Sequence, residues 1–143
     1  MTTTGKWLGP IAPFHYEAAG DVETASGVEA VKASIAQILG TRCTITGVLG
    51  ECPWRPSFGS TLSYLRHKSL PDPVLKDLAR HAVIDSIRKW EPRAVVTGVE
   101  ITIDQEPNSK ARVIYVDVAF VLASEQTTRA RGAVAQAFLR FAA

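Results

Sequence analysis

Two alternating runs joined by a turn constrain this chain more than any other feature. Val95, Thr97, Val99, Ile101 and Ile103 alternate with Val96, Gly98, Glu100, Thr102 and Asp104, the period-two pattern of a half-buried strand. Gln105 to Lys110 has turn composition, with Pro107, Asn108 and Ser109 at its centre. Val113 to Ala123 is a second strand, with Ile114, Val116, Val118, Phe120 and Leu122 on one face. Its other face, Val113, Tyr115, Ala119 and Val121, is also apolar and is interrupted by Asp117. The pattern predicts an antiparallel hairpin over 94–104 and 111–123 whose second strand wants cover on both sides. One face suits the helices of a small domain; the other points to a partner.

The helices have clear start and stop signals. Ser26-Gly27-Val28-Glu29 has the form of a capping box, and Val28, Val31, Ile35, Ile38 and Leu39 follow as an apolar stripe. The first helix is expected over 27–39, with Gly40 as a left-handed cap. Asp72 and Pro73 read as N-cap and first position of a second helix. Leu75, Leu78, Ala79, Ala82, Val83 and Trp90 share one side of it, Ile84 stands alone on the polar side, and Pro92 ends it near Trp90. Residues 41–70 are irregular, with a short strand pair at 44–46 and 48–49 and one or two helical turns within 61–67. Val134, Phe138 and Phe141 at helical spacing predict a short helix over 127–141. Pro10 and Pro13 exclude a helix near the start, where Trp7, Phe14 and Tyr16 suggest an arm lying on the domain or a partner. The expected fold is α+β: two main helices on a small, mostly antiparallel sheet. An extended arm over 1–25 precedes a domain over 26–124, and a helical extension over 125–143 follows.

Composition narrows function. With 143 residues, 46% hydrophobic and 21% charged, the chain suits one globular domain and is too apolar for disorder. A net charge of +2 without blocks of like charge gives no support for nucleic-acid binding. The longest apolar run, Val113–Ala123, is too short to span a membrane and contains Asp117. The first ten residues lack the apolar segment of a signal peptide, so a reduced protein made inside the cell is expected.

Little in the sequence points to catalysis. Cys43 and Cys52 have a C-x8-C spacing unlike structural zinc sites, and His15, His67 and His81 form no pair at helical spacing. No metal or cofactor is expected. Gly47-Val48-Leu49-Gly50 lacks the Lys-Ser/Thr of a phosphate-binding loop. Glycoside hydrolysis needs two carboxyl groups flanking a cleft, one of them kept protonated. Glu51, Asp72 and Glu91 are the available acids, and no motif pairs two of them. Trp90-Glu91-Pro92-Arg93 does break a local rule, because Glu91 at a helix C-terminus opposes the macrodipole. It reads either as a surface ion pair with Arg93 or as a charged elbow that docks onto another chain, with Pro92 splaying the two charges apart.

Three segments carry a family resemblance. Residues 31–41, VKASIAQILGT, resemble the first helix of the small baseplate wedge protein of contractile phage tails, a family shared with type VI secretion and extracellular contractile injection systems. Gly50-Glu51-Cys52-Pro53-Trp54-Arg55-Pro56-Ser57-Phe58-Gly59-Ser60-Thr61-Leu62 resembles its Gly-Glu-Arg…Pro-x-Phe-Gly-Ser-x-Leu loop, and Trp90-Glu91-Pro92-Arg93 its Glu-Pro-Arg signature. The chain departs from the pattern in three places. Cys52 replaces an arginine, so that any ion pair of that arginine is lost or taken over by Arg55, residues 42–49 look like an insertion, and the C-terminal segment lies outside the common part.

The resemblance implies a structural part with no catalytic residue. It implies assembly in the cytoplasm into the baseplate of a tail or injection particle, in several copies, about six, per particle. Its implied partners are the helical bundle of the larger wedge proteins and the sheath protein, which it starts by offering strands, without nucleic acid or membrane insertion. Phe58, Gly59, Glu91, Pro92 and Arg93 are the expected docking residues. Val113, Tyr115 and Asp117 are expected on the edge that starts the sheath, Asp117 guarding it against indiscriminate pairing. The former label "tail lysozyme" leaves a muramidase-type hydrolase as one alternative, and a soluble regulator like a fold-related stress-response anti-adaptor as another.

Overall fold

The computed structural model describes residues 9–10, 18, 24–25, 27–65, 68–105, 112–123 and 137–142. In chain order the elements are β1 (Gly9–Pro10), β2 (Thr24–Ala25), α1 (Gly27–Gly40), α2 (Leu62–Leu65), α3 (Asp72–Trp90), β3 (Ala94–Gln105), β4 (Arg112–Leu122) and β5 (Ala137–Ala142). β1 pairs antiparallel with β2. β3, β4 and β5 form an antiparallel sheet in that spatial order. Helices and sheet make the expected α+β fold. Val31, Ile35 and Leu39 of α1, Leu62 of α2, and Leu75, Ala79, Val83 and Ile87 of α3 bury against Ile101, Ile114, Val116, Val118 and Phe120 of the sheet.

Both long helices begin and end within a residue or so of their sequence signals, but their ends differ in chemistry. Gly40 does not adopt a left-handed conformation. α1 runs through it, and Thr41 closes the helix with its amide and hydroxyl on the Gln37 carbonyl at 3.1 and 2.7 Å. Ser26 lies outside the described residues. At the start of α3 the cap position falls on Pro71, and no side chain caps it. Asp72 accepts instead from Arg112 Nη1 at 3.3 Å, while the same nitrogen donates to the Leu70 carbonyl at 2.9 Å, tying β4 to the helix entry. Leu78, expected inside, is 41% exposed, and Ile87 is fully buried in its place. The expected strand pair near 44–49 reduces to one bridge between Ile45 and Val48, and α2 is a single turn. Cys43 is half-buried.

The hairpin forms where its pattern places it, with one shift in register. A β-bulge between Val96 and Gly98 inserts Thr97. Beyond it Val99, Ile101 and Ile103 keep the core face; before it the core face passes to Ala94 and Val96, opposite Leu122 and Phe120. Val95 and Thr97 therefore leave the face that strict alternation assigns them. β4 has both faces covered to some degree: Ile114, Val116, Val118 and Phe120 are fully buried, and Val113, Tyr115, Asp117 and Ala119 are half-buried.

The C-terminal segment is not the expected helix where it is described. Residues 137–142 form β5, which pairs along β4 from Tyr115↔Ala142 to Phe120↔Ala137. β4 is thus the central strand, paired on both sides from Tyr115 to Phe120, and is not an open edge there. The edge role expected of Tyr115 and Asp117 is corrected accordingly; Val113 lies before the pairing with β5 begins. Asp117 stands in register between Glu100 and Arg140 and is not without a partner.

Candidate functional site

Two of the sequence motifs meet at the C-terminal end of α3. Glu91 follows the last helical residue, and its amide continues the helix ladder to the Ile87 carbonyl at 2.8 Å. Pro92 turns the chain, so that Arg93 folds back on Glu91 rather than away from it. Arg93 Nε donates to Oε1 at 2.6 Å and Nη2 to Oε2 at 2.7 Å, a two-pronged fork on one carboxylate. The Glu91 residue is 1% exposed, whereas the Arg93 side chain keeps 29%. The pair is therefore an internal clamp, not a splayed elbow, and Glu91 does not face a partner. Pro92 is exposed and Arg93 half-exposed, so these two remain on the surface.

Burial works against the charge on Glu91, but the Arg93 fork and the Ser34 hydroxyl of α1 outweigh it and hold the carboxyl below its ordinary 4.5. A carboxyl with a lowered folded-state pKa adds stability above its unfolded value, and the gain is lost as pH falls through the folded value. Melting the protein and its Glu91→Gln variant between pH 7 and pH 3 should give a stability difference that is largest near neutrality and shrinks on acidification below 4.5. A difference that stays constant across that window would mean the carboxylate charge is not what matters.

The loop motif packs on the same corner. Phe58 meets Trp90 edge-on, with centroids 5.2 Å apart. The Arg55 guanidinium lies 4.4 Å over Trp90 and 5.5 Å over Phe58, and Lys89 lies 5.2 Å over Trp90. Gly59 is buried with φ +107°, so it shapes the loop instead of touching a partner. The neighbouring Ser60, 1% exposed, donates its hydroxyl to the Leu39 carbonyl at 3.1 Å, and its amide donates to Thr41 at 2.9 Å. Ser60 was not singled out in the sequence; a Ser two residues before a helical turn, with Leu62 N–H on its Oγ at 3.4 Å, is the signal that could have found it.

The three candidate acids are each engaged by an arginine: Glu51 by Arg42 at 3.1 Å, Asp72 by Arg112 at 3.3 Å and Glu91 by Arg93 at 2.6 Å. Of the two outcomes expected where Cys52 replaces the arginine, takeover by Arg55 is not seen among the described residues: Glu51 pairs with Arg42, and Arg55 stacks on the aromatic rings. Among the described residues no group of three His, Cys, Asp or Glu is placed to hold a metal. His15 and His67 lie outside the described residues. No described helix is long and apolar enough to cross a membrane.

A groove of about 510 Å³ runs beside β3, lined by Ile84 and Arg88 of α3, by Pro92, and by the consecutive residues Ala94 to Val99. Six successive strand residues can line one groove only if it lies along the strand's edge. The hydrogen bonds agree. The Arg93 carbonyl accepts from the Ala123 amide at 2.7 Å, so alternation turns Val95 toward β4 and the backbone groups of Ala94 and Val96 outward. The Ala94 amide is used by the Glu91 carbonyl at 3.2 Å, and Arg80 Nε donates to the Val99 carbonyl at 3.3 Å. Between these two points the edge at Val96 lies open among the described residues. Ile84, the lone apolar residue on the helix's polar side, overlooks it.

Comparison with known proteins gives these features a family. The family model described as Baseplate wedge protein gp25 matches residues 25–127, and the chain belongs to that family. It is accordingly a structural component of the baseplate of a contractile injection machine. Among solved structures, a chain of the anti-feeding prophage baseplate has the same fold at a TM-score of 0.64 and 24% identity, covering 85% of this chain and 92% of that one. A Geobacter sulfurreducens protein bearing the name tail lysozyme has it at 0.58 and 22% identity, covering 83% and 91%. No individual curated protein sequence matches.

Proposed function

We propose that this chain joins the helical bundle of the larger wedge proteins to the first ring of sheath protein, and that it starts the sheath by accepting a strand. The observation that carries this reading is the open edge of β3 at Val96 beside a groove that an extended segment fits. A free edge is a template for main-chain pairing, and alternate side chains of the incoming strand set its register. The edge lies on β3, not on β4 as the sequence suggested. The bulge at Thr97 and the Arg80 contact at Val99 limit the docked strand to the first half of β3. The exposed Pro92 and half-exposed Arg93 belong to the same end of the sheet and suit contact with the wedge bundle. About six copies per particle would follow from ring symmetry. Assembly in the cytoplasm before incorporation into the particle is part of the same reading.

The hydrolase alternative fits the geometry poorly. A general acid needs a carboxyl held protonated, and here the most buried candidate, Glu91, is pushed the other way. The reading as a structural part without enzymatic activity rests on this and on the family.

Val96→Pro tests the strand proposal. It removes the outward amide and places a ring in the groove, while the inward bonds of Val95 to β4 survive. The variant should remain folded by circular dichroism and enter baseplates, but particles seen by electron microscopy should lack sheath. Normal sheathed particles carrying the variant would overturn strand addition at this edge.

A further inference from the structure

The loop between α1 and α2 presents an apolar surface that neither the core nor the strand-docking edge uses. Leu49 and Trp54 are each 83% exposed, and Val48 is 43% exposed. Isolated exposed apolar residues need no explanation, but these sit on a fixed scaffold. Ile45 and Val48 exchange two backbone bonds at 3.0 Å, and Glu51 N–H reaches the Arg42 carbonyl at 3.0 Å. Thr44 N–H reaches the Pro56 carbonyl at 2.8 Å, and Tyr64 Oη holds the Cys43 carbonyl at 2.7 Å. Cys52 to Arg55 closes as a turn with Pro53 at its second position, which fixes the backbone under Trp54. A tryptophan held out on a braced loop loses little freedom on binding, and buried tryptophans dominate interface energies.

The charge around this lobe is one-sided. Arg42 is already matched by Glu51. Arg55 and Lys89 both lie over Trp90, and among the described residues neither makes an ion pair. Asp85 lines the cleft beside Lys89 without reaching ion-pair distance. Arg55 follows Trp54 in the same turn and shares the Trp90 ring with Lys89, so two cations without an ion pair among the described residues meet beside the lobe.

We infer that the 42–58 lobe is a second docking surface, which takes an acidic segment of another protein with an apolar seat for Trp54. It involves none of the β3 edge residues and stands or falls separately from strand addition. Charge complementarity selects the occupant: Asp or Glu side chains meet Arg55 and Lys89, and the indole and Leu49 anchor in apolar surface.

The test uses the full chain in cells that assemble the particle. A photo-crosslinking benzoylphenylalanine is placed at Trp54 or Leu49, and at Asp77 as a control, and the joined peptides are sequenced by mass spectrometry. The expected result is that Trp54 and Leu49 join the same Asp- or Glu-rich segment of a different protein while Asp77 does not. Lys89→Glu should cut the yield at least fivefold. Crosslinks to a second copy of this chain, to a segment without acidic residues or to nothing would overturn the inference, as would a yield indifferent to Lys89→Glu.

Discussion

Arg93→Ala should lower the stability of the free domain by about 3 kcal/mol. A surface ion pair, one of the two readings the sequence allowed, would contribute no more than about 1 kcal/mol. The geometry changes that expectation. Glu91 is 1% exposed and takes both strong bonds of its carboxylate from Arg93. Removing one partner of a buried pair leaves the other charge in a place it cannot solvate, at a typical cost of about 3–5 kcal/mol. The lower end applies because the Arg93 side chain is 29% exposed and water can enter where it stood. For a domain of this size that corresponds to a fall of roughly 10 °C in melting temperature. The cause is checked by a second change: Glu91→Gln in the Arg93→Ala background removes the stranded charge and should recover part of the loss. If Arg93→Ala melts within 2 °C of the parent, or if the double variant is no better, the clamp is not what holds this corner.

The clamp also changes how the Glu-Pro-Arg signature is understood. Glu91 anchors the end of α3 through Arg93 and Ser34, and the Ala94 amide closes back on its carbonyl. The first residues of β3 are therefore held at a fixed angle to α3. That angle sets the groove between Ile84, Arg88 and the strand edge. An assembly defect in an Arg93 variant would thus mix lost contact with lost stability. Only variants that circular dichroism shows to be folded, as is expected of Val96→Pro, can separate the two.

Much of the fold was legible because it is local. The apolar stripe of α1, the proline boundaries of α3 and the period-two runs of β3 and β4 each depend on residues close in sequence. What failed was non-local or ambiguous. Val134, Phe138 and Phe141 fit a helical stripe, but Ala137 to Ala142 is also a short apolar run broken only by Arg140, and only pairing with β4 decides between the two. That one misreading also hid the fact that β4 is central and moved the expected edge to the wrong strand. The bulge had a visible signal, Gly98 inside a strand pattern. For the site, the pairing of Glu91 with Arg93 was an open alternative whose geometry depended on the turn at Pro92. The stacking of Phe58 and Arg55 on Trp90 joins segments more than thirty residues apart and leaves no periodic trace.

Gly59→Ala should destabilise the domain by about 2–4 kcal/mol, more than its backbone conformation alone explains. Gly59 sits at φ +107°, a region that a side chain adopts only with strain of about 1–3 kcal/mol. Its methyl group would also collide with the Thr41 carbonyl oxygen. That oxygen belongs to backbone at the end of α1 and cannot swing aside as a flexible side chain would. It already accepts the Ser60 amide at 2.9 Å, and Ser60 in turn holds the Leu39 carbonyl. Relieving the clash must lift the loop from the helix, break these buried bonds and draw Phe58 away from Trp90. Gly47 provides the control, since it has φ +83° but no atom within 4 Å of an added methyl group. Gly47→Ala carries the conformational strain without the clash. Chemical denaturation of the two variants should show Gly59→Ala losing at least twice as much stability as Gly47→Ala. Equal losses would mean that the loop yields freely at Thr41 and that the seam between the loop and α1 is not a fixed part of the site.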